Sequence, residues 1–189
     1  MPTSSWSLGA ELIFLLGQRG GGRRGCGATE ELVAWANRAV DADLEGASLA
    51  ALAGQTAPLY PSEVDALFNA VLDELDLPEP AGHDELFDAE LLVVCDGIVR
   101  EESDVNTALQ HASRVTIDAG FPRRYRQWMN LAEDVAIIAH GDRAAFTESL
   151  TSATVEDHIR RLARETLRAL PSPPWLPPYL ALGRTGSTE

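Results

Sequence analysis

SEVDALFNAVLDELD, running from Ser62 to Asp76, decides the fold of this chain. Its apolar residues are Val64, Leu67, Phe68, Val71, Leu72 and Leu75, separated by steps of three, one, three, one and three. That spacing holds them on one face of a helix with 3.6 residues per turn. Ser62 with Asp65 reads as a capping-box-like start, Pro61 just ahead of it suits a helix entrance, and Pro78 and Pro80 forbid continuation. Tyr60 is placed to act as a hydrophobic staple. Each buried side chain is worth ~1.5–3 kcal/mol, so the stripe supplies on the order of 10 kcal/mol gross and needs covering partners.

The partners the chain offers are further helices. Thr29 with Glu30 and Glu31 opens one carrying Leu32, Val33, Trp35, Ala36, Ala39 and Val40. Ser48 caps a short helix closed by Gly54. Asp84 starts another reaching about Arg100; its Leu91-Leu92-Val93-Val94-Cys95 run could be a buried strand, but no comparable run exists to pair with it. Ser103 and Asp104 begin a helix that breaks at Gly120, and Leu131, Val135, Ile138 and Ala139 mark one ending at Gly141. Residues 142–152 read as a short helix or loop. Thr154 with Asp157 opens the last long helix, on which Val155, Ile159, Leu162, Ala163, Thr166, Leu167 and Leu170 share a face. The expectation is an all-α, single-domain bundle of about six or seven helices over residues 28–170.

Flanking segments differ in composition. Residues 1–27 read as a flexible Gly/Arg-rich leader, or as the product of a start codon set too early. The apolar run Leu12–Leu16 is too short to span a bilayer, and no basic residue precedes it as a signal peptide requires. The glycines of 17–27 lack the GK[ST] ending of a phosphate loop. Residues 171–189 form a Pro-rich tail preferring extended structure, with Trp175, Leu176, Tyr179 and Leu180 placed to strap back onto the helices.

Charge narrows the partners. The 189 residues carry 29 acids against 15 basic residues, all arginine, for a formal charge of −14. Without lysine, no Schiff base and no Walker-type lysine can come from this chain. From Ala28 to Asp118 there are twenty acids and three arginines, whereas from Ala119 onward nine arginines meet eight acids. The acidic front repels nucleic acid and anionic membrane and attracts basic proteins; it serves equally as a solvated face. Two cysteines far apart, Cys26 and Cys95, indicate neither a disulfide framework nor a zinc knuckle and suit a reduced, cytoplasmic setting.

Catalytic patterns are missing from the sequence. The four histidines form neither H-x-x-x-H nor a Glu-x-x-His pair, and no G-x-S-x-G elbow occurs. His83, Asp84, Glu85 and Asp88 are the densest group of potential ligands, but those residue types are also what a helix start wants. No catalytic residue, metal or cofactor is therefore assigned. Arg123, Arg124 and Arg126 beside Tyr125 and Trp128 could clamp an anion or stack on bases; alternatively these arginines meet the acidic front internally.

The segment Glu31–Pro78, through Trp35-Ala36, Leu52-Ala53-Gly54 and Glu74-Leu75, resembles the opening of small acidic helical proteins encoded in bacterial genomes. The likeness implies helix boundaries and no activity. The leading expectation is a non-catalytic protein that binds a basic partner, in the manner of immunity or antitoxin-type inhibitors, through Glu63, Asp65, Asp73, Glu74, Glu85 and Asp88. The alternatives are a helical-bundle enzyme or ligand binder with an anion site at Arg123–Trp128, and a structural or oligomer-forming protein docking through its leader or tail.

Overall fold

A computed structural model of the chain describes residues 6–20, 26–80, 82–141 and 143–182. Among them are nine α-helices, a 3-10 turn and no strand: α1 (Leu8–Gly20), α2 (Cys26–Asp41), α3 (Ala47–Ala53), α4 (Pro61–Glu74), α5 (His83–Val99), α6 (Val105–Asp118), the 3-10 turn Arg123–Tyr125, α7 (Arg126–Ala139), α8 (Val155–Ala169) and α9 (Leu176–Leu180). They fall into two compact units, one of residues 7–86 with 173–189, the other of residues 1–6 with 87–172. The first holds fifteen acids and five arginines, a balance of −10; the second holds fourteen and ten, a balance of −4. They are called here the acidic unit and the mixed unit.

In the acidic unit α2 packs against α1, α3 and α4, α3 packs against α4, and α1 packs against α9. The α4 stripe is buried at Val64, Phe68 and Val71 and half-buried at Leu67, Leu72 and Leu75. Trp35 covers it, meeting the Phe68 ring edge-on while its indole N–H donates to the Leu8 carbonyl at 3.0 Å. The start of α4 differs from expectation. Pro61 takes the first helical position, so Ser62 falls inside the helix and makes no capping bond. Tyr60 becomes the N-cap residue and stands 56% exposed instead of stapling.

The expected flexible leader is a helix from Leu8 onward. Leu12 and Ile13 are fully buried and Phe14, Leu15 and Leu16 nearly so, because a run apolar on every side has no face to offer water. Helix α1 is held against α9 at Gly9, where any Cβ would overlap the Tyr179 carbonyl. The tail likewise straps back: Trp175, Leu176 and Tyr179 are buried, Trp175 donates to Glu85 at 3.0 Å, and the Tyr179 hydroxyl donates to the Pro78 carbonyl at 2.9 Å. Residues 21–25 and 183–189 lie outside the described residues.

In the mixed unit α6 packs against α7 and α8, and α7 against α8. The α5 run from Leu91 to Cys95 is buried on all sides, which explains why an apolar stretch with no polar face is helical here. Gly97 leaves room for the Trp6 ring, whose nearest carbon would lie 2.5 Å from an added Cβ; Trp6 in turn meets His111 edge-on. Asp104 caps α6, accepting from the Thr107 N–H at 2.8 Å. At α8, Thr154 holds the N-cap position, but its hydroxyl accepts from the Thr151 N–H at 3.0 Å rather than closing a box with Asp157.

Candidate functional site

The six acids expected to bind a partner divide into those with internal duties and those without. Glu74 reaches back to α3, where it accepts from the backbone N–H groups of Ala47 at 2.7 Å, Ser48 at 2.8 Å and Leu49 at 3.3 Å. Desolvation pulls its carboxyl upward, but those donors and the Ser48 hydroxyl outweigh it and leave it below the usual glutamate range. It is the N-cap that Gly46, lacking a side chain, cannot supply. Asp65 pairs with Arg19 at 3.1 Å, and Glu85 holds the Trp175 indole. Asp88 accepts from the Tyr125 hydroxyl and from Arg124 Nε at 3.1 Å. Glu63 and Asp73 are exposed and make no ion pair among the described residues, as do Asp41, Asp43 and Glu45 at the end of α2.

The described cations of the acidic unit have the opposite fate. Arg38 donates through Nη2 and Nε to one oxygen of Glu11, at 2.9 and 3.1 Å, and Glu11 is almost fully buried. Arg19 pairs with Asp65 while lying over the Phe68 ring, 4.6 Å from its centroid. Both arginines face their own unit's carboxylates, so nothing cationic among its described arginines offsets the exposed acids.

The arginine-aromatic segment is assembled differently from a stacking platform. Tyr125 and Trp128 are core residues, 0% and 1% exposed, and Trp128 donates to the Thr166 hydroxyl at 3.1 Å. Arg124 lies over the Tyr125 ring at 4.8 Å and is neutralised by Asp88. Of this segment's three arginines, only Arg123 and Arg126 are exposed without an ion pair among the described residues.

Asp134 escapes sequence reading. It is fully buried and accepts from the backbone N–H groups of Ala145 (2.6 Å), Phe146 (3.0 Å) and Thr147 (2.7 Å), which fastens the segment after α7 as a loop. Burial raises its carboxyl pKa, yet the three amides and the Thr147 hydroxyl overcome that and hold it below the ordinary aspartate range. The available signal was positional: Asp134 is three residues after Leu131 and four before Ile138, on the apolar face of α7. His111 is a half-buried titratable group. Burial first, then Arg114, pushes its imidazole down to about 4, against the opposing charge of Asp118. Cys95 is buried, and burial pushes its thiol up, away from nucleophilic use.

Among the described residues no three His, Cys, Asp or Glu side chains stand together as metal ligands, and His83, Asp84, Glu85 and Asp88 do not converge on one point but split between solvent and separate protein donors. No described helix is long and apolar enough to cross a membrane. No protein-family model, curated protein or solved structure matches this chain.

Proposed function

We propose that the chain is a non-catalytic binding protein whose acidic unit docks a basic partner protein, an inhibitor of the immunity or antitoxin type being the specific form. The observation that carries this reading is the pairing of Arg19 with Asp65 and of Arg38 with Glu11, which leaves Glu63, Asp73 and the acids ending α2 exposed and without a described cation of their own unit against them. Opposite charge at close range speeds encounter and fixes orientation more than it deepens affinity. Glu74, Asp65, Glu85 and Asp88 serve the fold first, so the partner's contacts fall chiefly on the unengaged acids. The competing anion site at Arg123–Trp128 loses its stacking surfaces to the core.

Affinity capture at low salt isolates the partner, and its association rate is then followed against ionic strength. The rate falls steeply with salt, and Glu63→Lys with Asp73→Lys slows association by roughly tenfold while the helical signal stays intact. An association rate indifferent to molar salt overturns the reading.

A further inference from the structure

Five large apolar side chains stand exposed among the described residues: Val40, Tyr60, Ile117, Phe121 and Phe146. Phe146 has charges of both signs beside it, Arg143 and Glu148, whereas the neighbours of the other four sort by unit. In the mixed unit, Ile117 and Phe121 lead directly into the exposed, unpaired Arg123 and Arg126. In the acidic unit, Val40 leads into the exposed Asp41, Asp43 and Glu45. Tyr60 is followed only by Glu63, since Asp65 is already tied to Arg19.

We propose that the end of α6 in one copy of this chain docks on the end of α2 in a second copy, Ile117 and Phe121 against Val40, with Arg123 and Arg126 against Asp41, Asp43 and Glu45. This goes beyond the basic-partner reading and does not rest on it; a basic partner would compete with the second copy for Asp41, Asp43 and Glu45.

Three observations carry the pairing. Phe121 has φ +61, an uncommon and costly conformation for a bulky side chain, and its ring is 52% exposed, so two unfavourable features coincide on one residue. Both surfaces are pinned turns. Phe121 N–H donates to the Thr116 carbonyl and Gly120 N–H to the Ile117 carbonyl, each at 3.0 Å; at the α2 end, Asp43 N–H donates to the Val40 carbonyl and Leu44 N–H to the Ala39 carbonyl, each at 3.0 Å. Little ordering entropy is then lost on contact. The charges are complementary and of short reach, Asp118 in the α6 turn being turned toward Arg114 at 3.8 Å.

The contact joins unlike faces, so it is heterologous and propagates head to tail unless the rotation closes a ring. It is also small and therefore weak. Sedimentation velocity of the full chain from micromolar to millimolar concentration, at physiological ionic strength, shows mass above the monomer at the upper end. Phe121→Ala, Ile117→Ser and the double change Arg123→Glu with Arg126→Glu each weaken association by roughly tenfold. Asp41→Arg with Glu45→Arg does the same, and mixing the two charge-reversed chains restores association that neither shows alone. A chain that stays monomeric throughout, a mixture that fails to recover, or Phe121-dependent binding to phosphatidylserine vesicles instead of to itself overturns the proposal. Circular dichroism on every variant keeps unfolding from imitating a positive result.

Discussion

The two units use carboxylates in opposite ways. In the acidic unit, Glu11 and Glu74 are spent on holding the fold, one clamping Arg38 and the other capping α3, while many more acids face water unpaired. In the mixed unit, part of the surface charge is paired locally: Arg100 meets Asp96 and Arg160 meets both Glu156 and Glu101, while Arg123 and Arg126 stay without an ion pair among the described residues. There the costliest acid, Asp134, is enclosed. Balanced exposed pairs contribute little to stability and cancel the far field, whereas an unopposed surface projects one. The contrast locates long-range attraction in the acidic unit and internal bracing by a buried charge in the mixed unit.

The sharpest test of that contrast is Asp134→Ala. It strands three backbone donors in a buried loop and should cost about 3–4 kcal/mol in urea unfolding, with amide protection lost over residues 143–150. Glu74→Ala removes an exposed cap and should lower Tm by only about 2–4 °C. Equal losses would erase the distinction between enclosed and surface acids.

Two close-packed glycines give the next comparison. Gly9→Ala meets backbone, the Tyr179 carbonyl, and should cost about 3 kcal/mol by separating α1 from α9. Gly97→Ala meets the edge of the half-exposed Trp6 ring, which can tilt, so about 1 kcal/mol or less is expected once alanine's better helix propensity is included. Denaturant midpoints of the two variants separate the cases.

Acid distinguishes the units through His111. Its folded pKa of about 4 lies below the ordinary 6.5, so between those values the unfolded chain takes up a proton the folded chain refuses. The stability it confers is whole above pH ~6.5 and is lost as pH falls toward 4, on the order of 2 kcal/mol across the window. Subtracting the profile of His111→Gln isolates this loss, because the carboxylates common to both proteins cancel. A flat difference curve would mean that His111 takes up its proton in the fold as readily as in the unfolded chain. The smallest effect is a gain: Asp76, at φ +50 where α4 ends, should yield ~0.5–1 kcal/mol when replaced by glycine.

Much of the helical frame was legible because its signals are local. The Val64–Phe68–Val71 stripe, the Gly120 and Gly141 stops and the face of α8 are all set by residues within a few turns of one another. What escaped depends on partners far along the chain. The N-cap of α3 is Glu74, 26 residues beyond Ser48, and α1 is a core helix because α2 and α9 cover it. Gly9 and Gly97 find their reason only in the distant Tyr179 carbonyl and Trp6 ring. The candidate site was legible as charge and not as geometry. Four of the six proposed contact acids have internal partners that no spacing announces, and Tyr125 and Trp128 beside three arginines look the same in sequence whether their rings face solvent or core.

The seating of α9 on α1 makes the acidic unit discontinuous along the chain, with 87–172 emerging between its two pieces. During synthesis the ribosome therefore delivers every residue of the mixed unit before it releases Tyr179, and the Gly9 seat stays vacant until then. The apolar α1 helix must wait, through the translation of more than a hundred residues, for the pentapeptide that completes its cover. A nascent chain stalled anywhere short of that point leaves the Gly9 end of α1 without its α9 cover.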